Sequence, residues 1–508
     1  MANDRRSSVS ARRNTTTSAL AAVAMLVTSC GHPHGERRSP DVAIGRGSAV
    51  RTFRPSAAPT DPAWLRTAPP SLPMRPAVDP TIAERRLANG SRVLVVERHD
   101  FPSVSLAFVL DRGICDGGTA AAIYGRALGS SPGRDCNDNL LYLHAVAADV
   151  YKTVTDDSVI LRTTVLPPLL ASAISRLAPM FFAPGLAARD LEMARRSLKS
   201  TLSVEGSRQD RVAERALREA LLGRGGYGTV IVDASEVDGE SDAHVREFRA
   251  AALSPAHVTV VAVGDTTPND VVTLLNQYTE GLPRADVGVS ACAALPAAPL
   301  TGEILVVDDR GAEQSRVYVG VVGVPVGHVD GPALDVLSAA LGVSLSSRLS
   351  LKIREEHGYT YNVRMRSREW RAHGLVEVRT SVETARTAEA LRGIMTELDR
   401  AATDPLDDGE FLRAKVKATS DPGGHTSVVA SLLGMATYGS RADSVTRQQH
   451  VSNVTVGELT RVAATYLAGP RRAVTIVGDA SSALARTSSH ERTGRPQVRG
   501  RPASRRKQ

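Results

Sequence analysis

Apolar positions in residues 79–485 recur at two spacings. Short runs rich in β-branched residues predict strands, whereas longer stretches with apolar residues three or four positions apart predict helices. The predicted strands are 92–97, 103–110, 258–264, 303–308, 315–322 and 473–478. The predicted helices are 119–128, 169–182, 186–202, 333–341, 385–398 and 410–417.

The same order of elements occurs twice in this body. Its closing segments match best, because Val258-Thr-Val-Val-Ala-Val-Gly264 recurs as Ala473-Val-Thr-Ile-Val-Gly478. The break between the copies falls in 287–301, which is rich in Ala and Pro. We therefore predict an α+β fold with homologous domains at 79–286 and 302–485, joined by that linker. Each domain is expected to be a mostly antiparallel sheet covered by helices on one face.

The net charge of +8 is carried by the ends of the chain. Residues 1–30 carry +3, residues 31–78 carry +4 and residues 486–508 carry +7, which leaves −6 for the body. A nucleic-acid-binding protein places basic residues on its folded surface. The distribution therefore argues against nucleic acid as a partner, and it predicts a basic disordered tail at 486–508.

The first thirty residues have the pattern of an export signal. Four arginines precede the apolar run 19–27, which is too short to cross a bilayer as a stable anchor. The run ends in Val27-Thr-Ser-Cys30, which resembles a bacterial lipobox. We expect Cys30 to carry a lipid, and the alternative is a plain signal peptide with an unmodified cysteine.

Residues 31–78 contain nine prolines and predict an extended tether. A lipid anchor followed by a tether predicts a location in the bacterial cell envelope, on the periplasmic side. Gly31 stands where a retention signal for the inner membrane would have Asp, which favours the outer membrane. In such an oxidising compartment Cys115 and Cys136 are the candidate disulfide, with Cys292 left over.

Three segments of the body resemble the pitrilysin/insulinase family of zinc peptidases, over about residues 82–485. They are Leu87-Ala-Asn-Gly-Ser-Arg-Val-Leu-Val-Val, Val165-Leu-Pro167, and Leu341-Gly-Val-Ser-Leu-Ser-Ser-Arg348-Leu followed by Arg354-Glu-Glu-His-Gly-Tyr-Thr-Tyr361. The resemblance implies two homologous domains arranged as a clam-shell.

Active members of that family carry His-x-x-Glu-His on the helix after the second strand. Two His residues four positions apart grip zinc from one helix face, and the Glu acts as general base. Here the corresponding positions are Ala121, Tyr124 and Gly125, and the region of the later Glu ligand reads Leu198-Lys-Ser-Thr-Leu202, with Glu205 a turn away. A further polar position falls near Tyr151. The resemblance thus implies a chain with no catalytic residue and no metal ligand of its own.

The second copy keeps the other half of the family's site. The resemblance implies that Arg354 and Tyr361 help to hold a substrate peptide, since an Arg fork and a Tyr hydroxyl both donate hydrogen bonds to carbonyl oxygens. A purely structural role for the pair stays open.

The sequence therefore favours an exported, non-catalytic subunit that holds an unfolded peptide for a zinc-bearing homologous partner in a heterodimer. Zinc is expected on that partner and not on this chain. Two alternatives stay open: a lipid-anchored scaffold or peptide-binding lipoprotein without a proteolytic role, and an active zinc metalloendopeptidase.

Overall fold

The computed structural model describes residues 81–483 except 132, 184–185, 205, 280–291, 293–301, 303, 420–424 and 440–443. The described residues all belong to the compact unit Ser56–Gln508. The predicted signal peptide with Cys30, the tether and the basic tail lie outside the described residues, as does the linker apart from Cys292.

Six strands of the first half form one sheet. They are β1 (Ala83–Arg86), β2 (Arg92–Glu97), β3 (Val104–Leu110), β4 (Tyr151–Val154), β5 (Val159–Val165) and β6 (Val258–Gly264). Their order is β1-β2-β6-β3-β5-β4, and only β2 and β6 pair in parallel.

Five strands of the second half form another sheet with a similar arrangement. They are β7 (Ile304–Asp308), β8 (Gln314–Gly323), β9 (Val363–Glu369), β10 (Gly374–Glu383) and β11 (Ala473–Gly478). The order is β7-β11-β8-β10-β9, with β7 and β11 parallel and the remaining pairs antiparallel. The mostly antiparallel sheets and the α+β class agree with the sequence-based prediction.

Helices lie between the strands of each half and after them. In the first half they are α1 (Ile114–Ala127), α2 (Cys136–Ala145), α3 (Leu170–Phe182), α4 (Ala188–Ser203), α5 (Gly206–Leu222), α6 (Ala234–Gly239), α7 (Asp242–Ala252) and α8 (Pro268–Asn276). In the second half they are α9 (Gly331–Gly342), α10 (Thr387–Thr403), α11 (Asp408–Thr419), α12 (His425–Tyr438), α13 (Ser444–Asn453), α14 (Val456–Val462) and α15 (Ala480–Ala483). Within the described ranges, no helix combines the length and the apolar composition that crossing a bilayer requires.

Local sequence explains where several of these helices begin. Thr267 precedes α8, its hydroxyl accepts from the Asp270 backbone N–H at 3.2 Å, and Pro268 occupies the first helical position. Thr455 and Glu458 form a reciprocal capping pair at the start of α14. Such caps satisfy backbone donors that have no partner inside the helix.

Each sheet packs its own helices on one face, as predicted. In the first half Phe108 and Leu161 of the sheet meet Ile174 and Leu177 of α3 in one buried cluster. In the second half the equivalent cluster joins β8, β9, β10 and β11 to α9, α10 and α14. Side chains of alternate strand residues point to this face because the strand repeat is two residues.

The opposite face of each sheet is covered by a helix from the other half. Leu217 and Leu221 of α5 lie on the second sheet, where Gly320 leaves room for them: a Cβ at 320 would come within 2.9 Å of Leu217. Leu432 and Ala436 of α12 lie in the same way on the first sheet. The two halves are therefore interlocked, an arrangement that the pattern of apolar residues did not reveal.

Candidate functional site: a filled motif helix and an exposed Arg–Tyr pair

The helix that would carry the zinc motif is α1. Its first turn ends at Gly118, whose φ of 53° breaks the helix, so the continuous part begins at Thr119 as predicted. The first turn is fixed on the β4–β5 hairpin, because the N–H groups of Ile114 and Cys115 donate to the carbonyls of Thr155 and Asp156 at 3.0 and 2.9 Å. The β4–β5 hairpin therefore fixes the position of the first turn of α1.

The three motif positions of α1 are packed in the core. Ala121 and Tyr124 are fully buried, and the Tyr124 ring meets Phe248 edge to face with centroids 5.8 Å apart. At Gly125 a Cβ would overlap a methyl group of Val154 on β4. Burial raises the pKa of Tyr124 above its ordinary value, so the phenol stays protonated.

These residues do not fit a zinc ion. A methyl group, a hydrogen atom and a protonated phenol offer none of the usual ligands, and Val154 occupies the space that a longer side chain at position 125 would need.

On α4, Leu198 is buried against the same core, while Glu205 lies outside the described residues. Tyr151, on the edge strand β4, is half-exposed, and the Arg162 guanidinium lies 5.2 Å from its ring centroid.

Arg354 and Tyr361 lie side by side on the second half. Arg354 belongs to a π-helical segment, Ser350–Glu356, and the chain then turns at Gly358, where φ is +64°. The Arg354 guanidinium lies 4.9 Å from the Tyr361 ring centroid, and its Nε is 3.3 Å from a Glu355 carboxylate oxygen. Tyr361 is 85% exposed, so it does not cap the core. The structure brings the two residues together at the surface, and their role in binding stays a prediction.

Residues 241–417 match the family model of the peptidase M16 inactive domain. An uncharacterized zinc protease of Mycobacterium tuberculosis is 26% identical over 68% of this chain and 81% of its own length. An uncharacterized zinc protease of Streptomyces coelicolor is 30% identical over 213 residues, 40% of this chain, and there the match spans less than half of the relative, 44%.

Two solved structures share the fold. The peptidase M16 inactive domain from Pseudomonas fluorescens superposes with a TM-score of 0.71 and 18% identity, covering 78% of this chain and 98% of that chain. A protease from Helicobacter pylori gives a TM-score of 0.72 and 16% identity, over 78% and 99%. The chain is a peptidase M16 homologue. Because its motif positions carry Ala121, Tyr124 and Gly125, it is a homologue of the non-catalytic type.

Arg348, from the segment that carries the resemblance, has a structural role in this M16 homologue. It is buried, and its guanidinium forms a two-point ion pair with Glu410 of α11 at 2.9 and 2.7 Å. It also donates to the backbone carbonyls of Asp404 and Pro405 at 3.0 Å. The hydrogen bond from Arg348 holds the pKa of Glu410 below its ordinary value. Arg348 therefore fixes the start of α11 rather than facing a ligand.

The predicted disulfide between Cys115 and Cys136 is wrong. Cys115 is bonded to Cys292 of the linker, with the Cα atoms 5.8 Å apart. Cys115 lies in the first turn of α1, whereas Cys136 packs beside Gly129, past the opposite end of that helix. At about 1.5 Å per helical residue, the continuous part of α1 that separates the two cysteines, from Thr119 to Ala127, is roughly 12 Å long, beyond the reach of a disulfide.

The sequence did not predict a cluster of side chains at the junction of the two halves. Trp370, in the β9–β10 turn, stacks on Tyr227 with centroids 5.0 Å apart and 10° between the ring planes. The buried Arg218 lies 4.7 Å from the Trp370 centroid and pairs with Asp156 of the β4–β5 turn at 3.2 Å. The hairpin turns of the two sheets therefore meet here. The sequence contains one indication of this cluster, because Trp370 is one of only two tryptophans in the chain.

Asp157 lies at the centre of this junction. It is buried and accepts hydrogen bonds from the hydroxyls of Tyr227 and Tyr438, the latter at 3.1 Å, and from the backbone N–H of Arg371 at 3.3 Å. Burial raises the pKa of Asp157 above its ordinary value. One carboxyl group thus joins the first sheet, α12 and the β9–β10 turn, which ties the halves to each other.

Proposed function

We propose that this M16 homologue is a non-catalytic subunit that presents Arg354 and Tyr361 to an unfolded peptide, while a zinc-bearing homologue in the same complex cleaves it. The observation that carries the proposal is the contrast between the two sites. The motif helix is filled by core side chains, whereas the half-buried Arg354 and the exposed Tyr361 are in contact at the surface.

The interlocked halves support the need for a second chain. Exchanged helices and the junction around Trp370 pack the halves against each other, so the chain itself is closed where they meet. Enclosing a peptide then requires another two-domain chain facing this one. In such a heterodimer zinc belongs to the partner, and Arg354 and Tyr361 act on the substrate bound there.

The chemistry of the pair suits a peptide backbone. The guanidinium of Arg354 offers donors in a fixed plane, and stacking on Tyr361 limits its orientations before any ligand binds. The Tyr361 hydroxyl adds a donor next to it. Such pre-oriented donors hold carbonyl oxygens at a smaller entropic cost than free side chains do. Export through the lipobox-like Cys30 would place this subunit at the cell envelope, with the outer membrane favoured.

The test uses the full chain and the zinc-motif homologue encoded in the same genome. Cleavage of an unstructured fluorescent peptide is measured for each chain alone and for the mixture. We expect activity only in the mixture, and we expect Arg354→Ala or Tyr361→Phe to lower it about tenfold or more, the loss of one good hydrogen bond to the transition state. Arg392→Ala is the control, because Arg392 is exposed and lies outside the pair. Equal activity of the two pair variants and the control would contradict the proposal.

A second candidate is a lipid-anchored scaffold that keeps only the fold. The observation in its favour is the polar junction around Asp157, which holds the halves in one arrangement whether or not a peptide is present. A mixture that forms a stable complex by size-exclusion chromatography but shows no gain in cleavage would favour this alternative.

A further inference from the structure

Edge strand β9 carries a row of arginines. It lies at the end of the second sheet and pairs only with β10 among the described strands. Its sequence, VRMRSRE, places Arg364, Arg366 and Arg368 at alternate positions, so all three extend from one face of the sheet. Val363 and Met365 point to the opposite face and belong to the core.

The arginines nearer the C-terminal end of β9 are neutralised. Glu377, opposite Arg366 on β10, accepts from Arg366 at 2.6 Å and from Arg368 at 2.8 Å. Arg368 also pairs with Glu214 of α5 at 2.7 Å. At this end of β9, the carboxylates of Glu377 and Glu214 therefore form ion pairs with both guanidinium groups.

The other end of the row has excess positive charge. Arg364 of β9 stands directly opposite Arg379 of β10. Arg364 donates only to the Asn362 side chain, at 3.3 Å, and among the described residues neither arginine has a carboxylate within ion-pair distance. Like charges at directly opposed positions destabilise a sheet. A bound anionic group between them would remove that cost.

Protection of the sheet edge does not explain the whole arrangement. Charged residues on an edge strand discourage pairing with other chains, which would account for Arg364. Arg379 is on the inner strand β10, is half-buried and has no role in shielding the edge. A ligand that brings negative charge to both Arg364 and Arg379 explains the position of Arg379 better than protection of the sheet edge does.

We propose that β9 and Arg379 form a docking surface for an acidic peptide segment of another protein, bound in an extended conformation along the free edge of β9. Backbone groups of β9 would pair with the segment, and its carboxylates would lie against Arg364 and Arg379. The ends of this chain carry +3, +4 and +7, so its own tails have the wrong charge to be the ligand. The inference is independent of the proposed function, since it uses neither Arg354 nor Tyr361.

The experiment measures fluorescence anisotropy of a labelled twelve-residue peptide of alternating Glu and Thr, added to the full chain at low salt. We expect saturable binding that weakens as salt is raised, since exposed charge pairs are screened. Arg364→Glu and Arg379→Gln should each raise Kd about tenfold or more. Arg392→Glu is the matched control: it changes charge as Arg364→Glu does, at an exposed site on α10, and should leave Kd unchanged.

Three further probes test the chemistry and the geometry. A peptide of alternating Lys and Thr should not bind, and a Glu-Thr peptide N-methylated at every second residue should bind more weakly, because methylation removes the backbone donors that face one strand edge. Binding of a twelve-nucleotide oligo-dT with the same dependence on Arg364 and Arg379 would overturn the proposal, since the surface would then be a general anion site. So would a lack of binding by the Glu-Thr peptide, or an equal loss in Arg392→Glu.

Discussion

The ring of Trp370 in the second half lies parallel to the ring of Tyr227 in the first half, with 5.0 Å between their centroids. Around this pair the β9–β10 turn, α5 and the linker residue Cys292 form one buried cluster. The contact therefore joins the halves at the end of the motif helix, where Cys115 is also fixed.

Replacing Trp370 by Ala is expected to lower the free energy of unfolding by about 3–5 kcal/mol, because a buried aromatic side chain is lost and a cavity is left. The measurement is chemical denaturation followed by circular dichroism. Tyr361→Ala serves as the control, since that ring is 85% exposed, and we expect a change within about 0.5 kcal/mol. Similar effects of the two substitutions would contradict the buried junction.

Gly125→Ala should destabilise the protein by about 1–3 kcal/mol, because the added Cβ would overlap Val154. Combining it with Val154→Ala should cost less than the sum of the two single changes, since the smaller side chain makes room. Gly457→Ala is the control: it is helical with open space around its Cβ position, and we expect a gain of up to about 1 kcal/mol. Additive effects of Gly125→Ala and Val154→Ala would show that the two residues do not touch.

Restoring the missing motif should not restore a zinc site. The triple variant Ala121→His, Tyr124→Glu, Gly125→His introduces three polar side chains into a fully buried region next to Val154, so we expect a less stable protein. Metal analysis after dialysis should show less than one zinc per chain, as in the parent. A stoichiometric zinc content in a folded variant would show that the core around α1 opens more easily than its packing indicates.

Peptide mapping without reduction should recover a fragment that links Cys115 to Cys292. Removing the bond with Cys292→Ser should lower the free energy of unfolding by about 2–4 kcal/mol, since the crosslink closes a long loop of 177 residues and restricts the unfolded chain. In the Cys136→Ser variant, the fragment that links Cys115 to Cys292 should still be recovered. The crosslink should also still contribute to the free energy of unfolding. A fragment linking Cys115 to Cys136 would overturn the pairing.

Glu410 should contribute a pH-dependent part of the stability. Its pKa lies below the ordinary value of 4.5 because of the hydrogen bond from Arg348, so the stabilisation is present above pH 4.5 and is lost as the pH falls through the lowered pKa of the folded state. Unfolding free energies at pH 7 and at several values below 4.5 should therefore converge for the parent and Glu410→Gln as the solution becomes acidic. Glu313→Gln, an exposed change outside any described ion pair, should follow the parent over the whole range.

Much of the fold could be predicted from sequence because its determinants are local. The predicted strands 92–97, 258–264 and 473–478 have the same bounds in the structure, since β-branched apolar runs bounded by turn residues specify them. The absence of the zinc ligands at the motif positions is also visible in the sequence, because a side chain at a given position either has a coordinating atom or lacks one.

Contacts between distant segments could not be predicted in this way. The sequence does not show that α5 and α12 each cover the sheet of the other half, that Cys115 meets Cys292, or that Arg348 pairs with Glu410. Each of these contacts joins residues far apart in the chain, and only the packed fold brings them within bonding distance.

The sequence by itself determined the identities of the side chains and the local periods, and hence the strands, the helices and the loss of the zinc motif. The tertiary structure alone decided which of the remaining polar residues are used internally and which face solvent. Arg348 is buried in an ion pair, whereas Tyr361, thirteen residues later in the chain, is exposed beside Arg354. Burial depends on what packs against a residue from elsewhere in the chain, and no local pattern contains that information.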